Sequence, residues 1–285
     1  GVWSSGGSLN GTHKNIGGMG IQTAALVAGG YGRSGETEQY DGSAWTEVGD
    51  LNENRYGAFT CGTTTAGLLA GGNGAPSGNY TVNSEEYNGT AWTEGDNLTT
   101  GRAYAGMCGI QTAAVASDGS GNPGVIQFNE EYDGSSWSES GGHLNTTRFK
   151  QSSAGTQTAG LNMGGLTNPG VVQVASEEYD GSTWTEGNNI PTATQEANMG
   201  PVGIQTAALM FGGQDPTAPT TLHTATFSYN GTSWSEENVL SQGKISFAGA
   251  GTGTAALAAA GNQPANLQTS EEFDKSTTAS SITAS

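Results

Sequence analysis

The sequence predicts an all-β fold of six four-stranded antiparallel sheets, and three observations carry that prediction. One phrase returns six times. It stands as GIQTAALVAGG from Gly20, GIQTAAVASDG from Gly109 and GIQTAALMFGG from Gly203, with weaker copies from Gly62 (GTTTAGLLAGG), Gly155 (GTQTAGLNMGG) and Gly251 (GTGTAALAAAG). The copies lie 42, 47, 46, 48 and 48 residues apart, and self-similarity at such a period marks a repeat architecture. Each repeat also holds four short runs of small, β-compatible residues punctuated by Gly, Asn, Asp and Ser, with no sustained helical period. Finally, the two ends of the chain hold complementary fragments of one repeat.

The second repeat sets the pattern. Arg55 to Cys61 reads as strand a, Thr65 to Gly72 as strand b, Ser84 to Tyr87 as strand c and Ala91 to Glu94 as strand d. The turn between c and d recurs as YDGSAW at Tyr40, YNGTAW at Tyr87, YDGSSW at Tyr132, YDGSTW at Tyr179 and YNGTSW at Tyr229. Asp-Gly and Asn-Gly mark tight hairpins because these residues tolerate positive φ. The flanking Tyr and Trp are placed to pack as a cross-strand pair. Trp3, Trp45, Trp92, Trp137, Trp184 and Trp234 all fall at one repeat position, and burial between neighbouring sheets is expected for them.

The chain opens on Val2-Trp3-Ser4, a strand d with nothing before it. It closes on strands a, b and c at Lys244 to Gly249, Thr254 to Gly261 and Glu271 to Phe273, with Asp274-Lys275 where the other repeats have Asp-Gly or Asn-Gly. Residues 1–9 are therefore expected to complete the blade formed by residues 244–275. That makes residues 1–285 a single domain, a six-bladed β-propeller whose ring is closed by the N-terminal strand, which removes free sheet edges.

With the diglycines Gly29-Gly30, Gly71-Gly72, Gly164-Gly165 and Gly212-Gly213, the later Tyr and Trp, and a basic residue opening strand a, the repeat resembles the kelch family of β-propellers. The diglycine is lost at Ser117-Asp118 and half lost at Ala260-Gly261, and the Tyr-to-Trp spacing is shorter than usual, so the repeat is kelch-like. The phrases GTQTA and EEYDGSSW are also similar to Gly/Thr/Ala-rich kelch-like repeats in structural proteins of marine bacteriophages. The resemblance implies the fold and a phage setting. It carries no activity, since one fold hosts many functions.

Composition narrows the function classes. Charged residues make up 12% of the chain, Gly accounts for 48 positions and the net charge is −18. That charge opposes binding to a nucleic-acid backbone and suits a soluble surface. No apolar run reaches the length of a membrane span. Gly1 in place of Met points to a processed or excised chain. Two cysteines are too few for a disulfide framework, and Cys61 and Cys108, late in strand a of adjacent repeats, read as small buried thiols.

The most informative side-chain position opens strand a. It reads Lys14, Arg55, Arg102, Arg148, Gln195 and Lys244, each 10 or 11 residues after a Trp, and holds five of the eight basic residues. In a propeller this position would ring one mouth of the channel. Lys14, Arg55, Arg102, Arg148 and Lys244 are therefore the candidate binding residues for an anion or acidic partner. The competing reading pairs each with a blade carboxylate, and the recurring Glu85-Glu86, Glu130-Glu131, Glu177-Glu178 and Glu271-Glu272 favour that pairing. As a catalytic pair these glutamates repeat too often, so they read as a solvated face. His13, His143 and His223 fall at unrelated positions, and no metal-ligand spacing appears. No metal, cofactor or catalytic residue is expected.

The b–c loops vary most between repeats and share a face with the d–a connections, and variable loops on a rigid scaffold are where recognition usually sits. The expected function is a non-catalytic structural or binding module in a virion or extracellular setting, associated with a phage tail or particle. Its expected partners are other virion or cell-surface proteins and host glycans, with several copies per particle. A carbohydrate-binding lectin or extracellular adhesin is the alternative.

Overall fold

In a computed structural model, residues 1–32, 35–74, 79–216 and 221–275 are described. Parts of three b–c loops (33–34, 75–78 and 217–220) and the tail 276–285 lie outside the described residues. The fold is all-β and propeller-like, and among the described residues no helix is present.

Each repeat forms one four-stranded antiparallel sheet in the order a-b-c-d. Sheet 1 comprises Gly17–Ile21, Ala24–Ala28, Thr37–Tyr40 and Trp45–Glu47. Sheet 2 comprises Phe59–Gly62, Gly67–Ala70, Ser84–Tyr87 and Trp92–Glu94. Sheet 3 comprises Gly106–Ile110, Ala113–Ser117, Asn129–Tyr132 and Trp137–Ser140. Sheet 4 comprises Ser152–Thr156, Ala159–Met163, Ser176–Tyr179 and Trp184–Glu186. Sheet 5 comprises Gly203–Ile204, Ala207–Phe211, Thr226–Tyr229 and Trp234–Glu237. Sheet 6 takes a, b and c from Ala248–Gly251, Ala255–Ala259 and Ser270–Asp274, and its fourth strand is the N-terminal Val2–Ser5. Trp3 pairs with Phe273 and Ser5 with Glu271 in that register.

Tyr and Trp face one another across strands c and d, as at Tyr40 and Trp45, with ring centroids 4.8 to 5.1 Å apart in the five complete repeats. The turn between them differs from the two-residue hairpin expected of Asp-Gly. Four residues span it, only the glycine takes positive φ (94° at Gly42), and the Asp41 carboxylate accepts the N–H groups of Ser43 and Ala44. The acidic residue is there to satisfy backbone donors.

The core is divided among the gaps between sheets. Each of six buried clusters draws on two neighbours: sheets 1 and 2, 2 and 3, 3 and 4, 4 and 5, 5 and 6, and 6 and 1. Small residues on strand a allow the innermost strands to approach closely. A Cβ at Gly18 would lie 2.8 Å from the Gly249 carbonyl oxygen, so no larger residue fits between sheets 1 and 6. The recurring Gln of the a–b turn has a specific task. Gln111, Gln157 and Gln205 each donate to two backbone carbonyls of the preceding sheet, and Gln22 donates to Phe273 of sheet 6 at 2.9 Å.

The stretch read as one long strand a is two pieces. Arg55–Tyr56 pairs with Asn73–Gly74 of the b–c loop, and strand a proper begins at Phe59. Arg102–Ala103 pairs with Ser120–Gly121 in the same way. In sheets 2 to 6 the b–c loops thus double back in short antiparallel pairings docked on the d–a segments, all on one face.

Candidate functional site

Trp-to-cation spacing and the hydrogen bonds together define the column that opens strand a. Asn10, Asn52 and Asn145 each donate a side-chain N–H to the carbonyl of the Trp in strand d, at 3.3, 3.0 and 3.0 Å. Three residues after that Asn stand His13, Arg55 and Arg148. The sequence reading placed Lys14 and Gln195 in this column. The structure corrects both by one residue, to His13 and Thr194. The signal was the constant spacing of 10 from Trp3, Trp45, Trp92, Trp184 and Trp234, which only the third sheet breaks.

The cations do not ring a channel mouth. Arg55 reaches from the d–a segment past strand b to strand c, donating to the carbonyl of Asn83 at 2.7 Å and pairing with Glu85. Arg102 pairs with Glu130 in the same way, Arg148 with Glu177 at 2.9 Å, Lys244 with Glu271 at 2.8 Å and His13 with Glu38 at 3.1 Å. The four Arg and Lys side chains are fully buried. The first glutamate of each pair is therefore not on a solvated face. It is a buried anion held by a cation and by loop N–H groups, such as those of Asn52 at 2.8 Å and Glu53 at 3.2 Å. Burial works to raise the Glu271 carboxyl, but Lys244 and the Ser241 N–H outweigh it and hold it below its ordinary value. Sheet 5 lacks both halves of the pair, with Thr194 for the cation and buried Phe227 for the carboxylate.

The second glutamate ties neighbouring sheets together. Tyr132 donates its hydroxyl to Glu86 at 2.5 Å, Tyr179 to Glu131 at 2.6 Å, Tyr229 to Glu178 at 2.6 Å and Tyr40 to Glu272 at 2.5 Å. Two junctions differ. Gln39 stands opposite Tyr87, whose buried hydroxyl has no partner, and Ser228 stands opposite Phe273, which has no hydroxyl.

The diglycine of the third repeat falls at Asp118-Gly119, one residue on from the Ser117-Asp118 expected, and is only half lost: Gly119 keeps φ 115°, and Asp118 holds the first position at φ 50°, fully buried. Its Oδ2 accepts the Arg148 N–H at 3.1 Å, and its carbonyl accepts from Arg102 at 3.0 Å. Burial pushes its carboxyl up to about 7, against the Arg148 N–H and charge.

One column differs in chemistry at every repeat, and no recurring residue type marks it. Asn15, Gly57, Tyr104, Lys150, Glu196 and Ser246 all take φ between 53° and 65°. Each donates its backbone N–H to the carbonyl of the preceding one: Gly57 to Asn15 (2.9 Å), Tyr104 to Gly57 (2.8 Å), Lys150 to Tyr104 (2.9 Å), Glu196 to Lys150 (3.0 Å) and Ser246 to Glu196 (3.1 Å). Asn15 donates in turn to Ser246 at 2.7 Å, and the cycle is complete. Lys150 pairs with Glu196, which also accepts the Ser246 hydroxyl at 2.8 Å. Beside the cycle, Thr60, Met107, Ser153 and Met199 join Tyr104 and Glu196 around a cavity of about 20 Å3, room for one water. Five non-glycine residues held left-handed mark a backbone constrained by its surroundings, the kind of strain that gathers at functional positions.

Around this cycle, aromatic and cationic side chains gather on the side of sheets 1 to 4. Lys14 Nζ lies 4.8 Å from the Tyr31 ring centroid, and Tyr31 meets Tyr56 edge to face at 5.4 Å. Tyr104 packs over Gly57, where a Cβ would come within 2.7 Å of its ring. Lys150 lies 5.7 Å from the Tyr104 ring and 5.8 Å from that of Phe149. On the side of sheets 5 and 6 the matching positions are Gln195, Glu196, Ile245 and Ser246.

The chain matches no known family model and no curated protein sequence.

Proposed function

We propose that the six sheets are the blades of a closed six-bladed kelch-like propeller that serves as a non-catalytic structural and binding module. Closure is supported by the pairing of Val2–Ser5 with Ser270–Asp274, by the core cluster shared between sheets 6 and 1, and by the completed cycle of backbone hydrogen bonds. The single observation that carries the binding role is a contrast. Buried ion pairs, Tyr–Glu ties and Gln staples recur from repeat to repeat, while the left-handed column and the b–c hairpins beside it change each time. Recurring bonds define a scaffold, and the variable face laid on it is the surface for recognition.

The setting proposed is a virion or tail-associated one, with contact to other virion proteins or to a host surface. The phrases GTQTA and EEYDGSSW support it. Two arms test this reading. Quantitative mass spectrometry of purified particles should find several copies per particle, and its absence would leave the extracellular adhesin or lectin. Fluorescent protein carrying Tyr56→Ala and Phe149→Ala should lose attachment to host cells, whereas Ile21→Ser with Ile204→Ser, exposed on the a–b turns of the opposite face, should keep it. Equal attachment by both variants would remove the recognition face.

A further inference from the structure

We infer that the crescent formed by Lys14, Tyr31, Tyr56, Tyr104, Lys150 and Phe149 binds a glycan carrying isolated carboxylates, such as a uronic or sialic acid among neutral sugars. The inference rests on the reading of this face as the recognition face and names what it recognises. Sugar rings are amphipathic. Their C–H faces pack on aromatic faces, and their hydroxyl edges keep their water, so a row of half-exposed aromatic rings with polar tips is the surface that suits them. Tyr31 is 52% exposed, and Tyr56, Tyr104 and Phe149 are half-buried, so their rings are anchored and still reachable. The row runs over four successive repeats, so a bound glycan would meet more than one ring.

The carboxylates follow from the charge. In a chain of net charge −18, an anion approaches only where a local cation receives it. Arg55, Arg102, Arg148 and Lys244 are buried in ion pairs and cannot do this. Lys14 and Lys150 stand at the rings of the crescent, partly exposed. Glu196 fixes Lys150 in position, and a ligand carboxylate would share it. Two accessible lysines match a chain with a carboxylate on some of its sugars. A single-stranded nucleic acid also stacks on aromatic rings, but it carries a charge at every nucleotide and gains most of its affinity from phosphate contacts, which two lysines in an acidic protein supply poorly.

Isothermal titration with hyaluronan hexasaccharide and 3′-sialyllactose, against cellohexaose and a dT hexamer, tests the assignment. At least one acidic sugar should bind, with cellohexaose and dT at least tenfold weaker. Lys14→Gln and Tyr56→Ala should each weaken that binding at least fivefold without changing the far-UV circular dichroism. Equal affinity for cellohexaose, tighter binding of dT, no binding of either acidic sugar, or indifference to both substitutions would overturn it. The broader reading fails separately, in the attachment assay. If Tyr56→Ala with Phe149→Ala abolishes attachment while no acidic sugar binds, the face recognises something else and only the glycan assignment is lost.

Discussion

Arg148 and Glu177 meet at 2.9 Å with neither side chain exposed to solvent. Removing one partner of such a pair leaves an uncompensated buried charge, whereas removing both together is often nearly neutral. Sheet 5 already carries the neutral version as Thr194 and Phe227. Arg148→Thr alone and Glu177→Phe alone should each destabilise by about 3–5 kcal/mol in urea unfolding. The double variant should be more stable than the worse single one. Strict additivity would show that the pair is not a coupled unit.

The Tyr–Glu ties predict unequal effects for the same substitution. Tyr132→Phe removes a hydroxyl that donates to Glu86 and should cost about 1–2 kcal/mol. Tyr87→Phe removes a buried hydroxyl that has no partner and should be neutral or stabilising. Gln39→Glu, which recreates the missing acceptor, should raise the melting temperature of the wild type and leave that of Tyr87→Phe unchanged.

Asp118 predicts a dependence on pH. Its folded pKa of about 7 lies above the ordinary carboxyl value near 4. Between these values the folded chain keeps a proton that the unfolded chain has released. The contribution of this group is therefore full below about pH 4, falls as pH rises, and is lost above about pH 7. Asp118→Asn removes the effect. The variant should match the wild type near pH 4 and exceed it by about 2–4 kcal/mol at pH 8 in urea melts. A difference independent of pH would show that the carboxyl titrates normally.

The N-terminal strand predicts a dependence on nine residues far from any proposed contact. Trp3 packs between Phe211 of sheet 5, at 4.9 Å, and Phe273 of its own sheet, at 5.2 Å, and donates to the Thr226 hydroxyl at 2.9 Å. Deleting residues 1–9 should lower stability by several kcal/mol, enough to threaten a marginal fold. A synthetic peptide of residues 1–9 should restore the melting temperature in a concentration-dependent way. Unchanged melting after the deletion would remove the closure role.

Much of the scaffold was legible because its signals are local and periodic. Tyr, Trp, Gly and Gln recur at fixed spacing, and the complementary ends pointed to the strand that Trp3 supplies. The register of the cation column slips by one at Lys14 and Gln195 because a longer polar side chain directly follows the true position there, whereas the spacing of 10 from Trp3 and Trp184 marks His13 and Thr194. The glutamates were misread because both were assigned to one face, although adjacent residues of a strand point opposite ways: Glu85 is buried with Arg55 while Glu86 meets Tyr132 of the next sheet. The left-handed column was illegible. Its six residues share no chemistry, only a backbone conformation that neighbouring sheets impose.

The uneven support around the Arg148–Glu177 pair bears on how the fifth repeat could have lost its charges by descent. Without Arg148, Glu177 would still accept from the Asn145 backbone at 2.7 Å, the Asn145 side chain at 2.9 Å and the Thr146 backbone at 3.2 Å, and a carboxylate can also take up a proton. Without Glu177, Arg148 would keep one long bond to the Thr146 carbonyl at 3.5 Å, with Nε and Nη2 unpartnered, and a guanidinium does not shed its charge. Mutations arrive singly, so the passable order runs cation first and carboxylate second. Arg148→Thr should therefore cost less stability than Glu177→Phe, and a repeat passing from the charged pair to the neutral one meets the smaller barrier by that route.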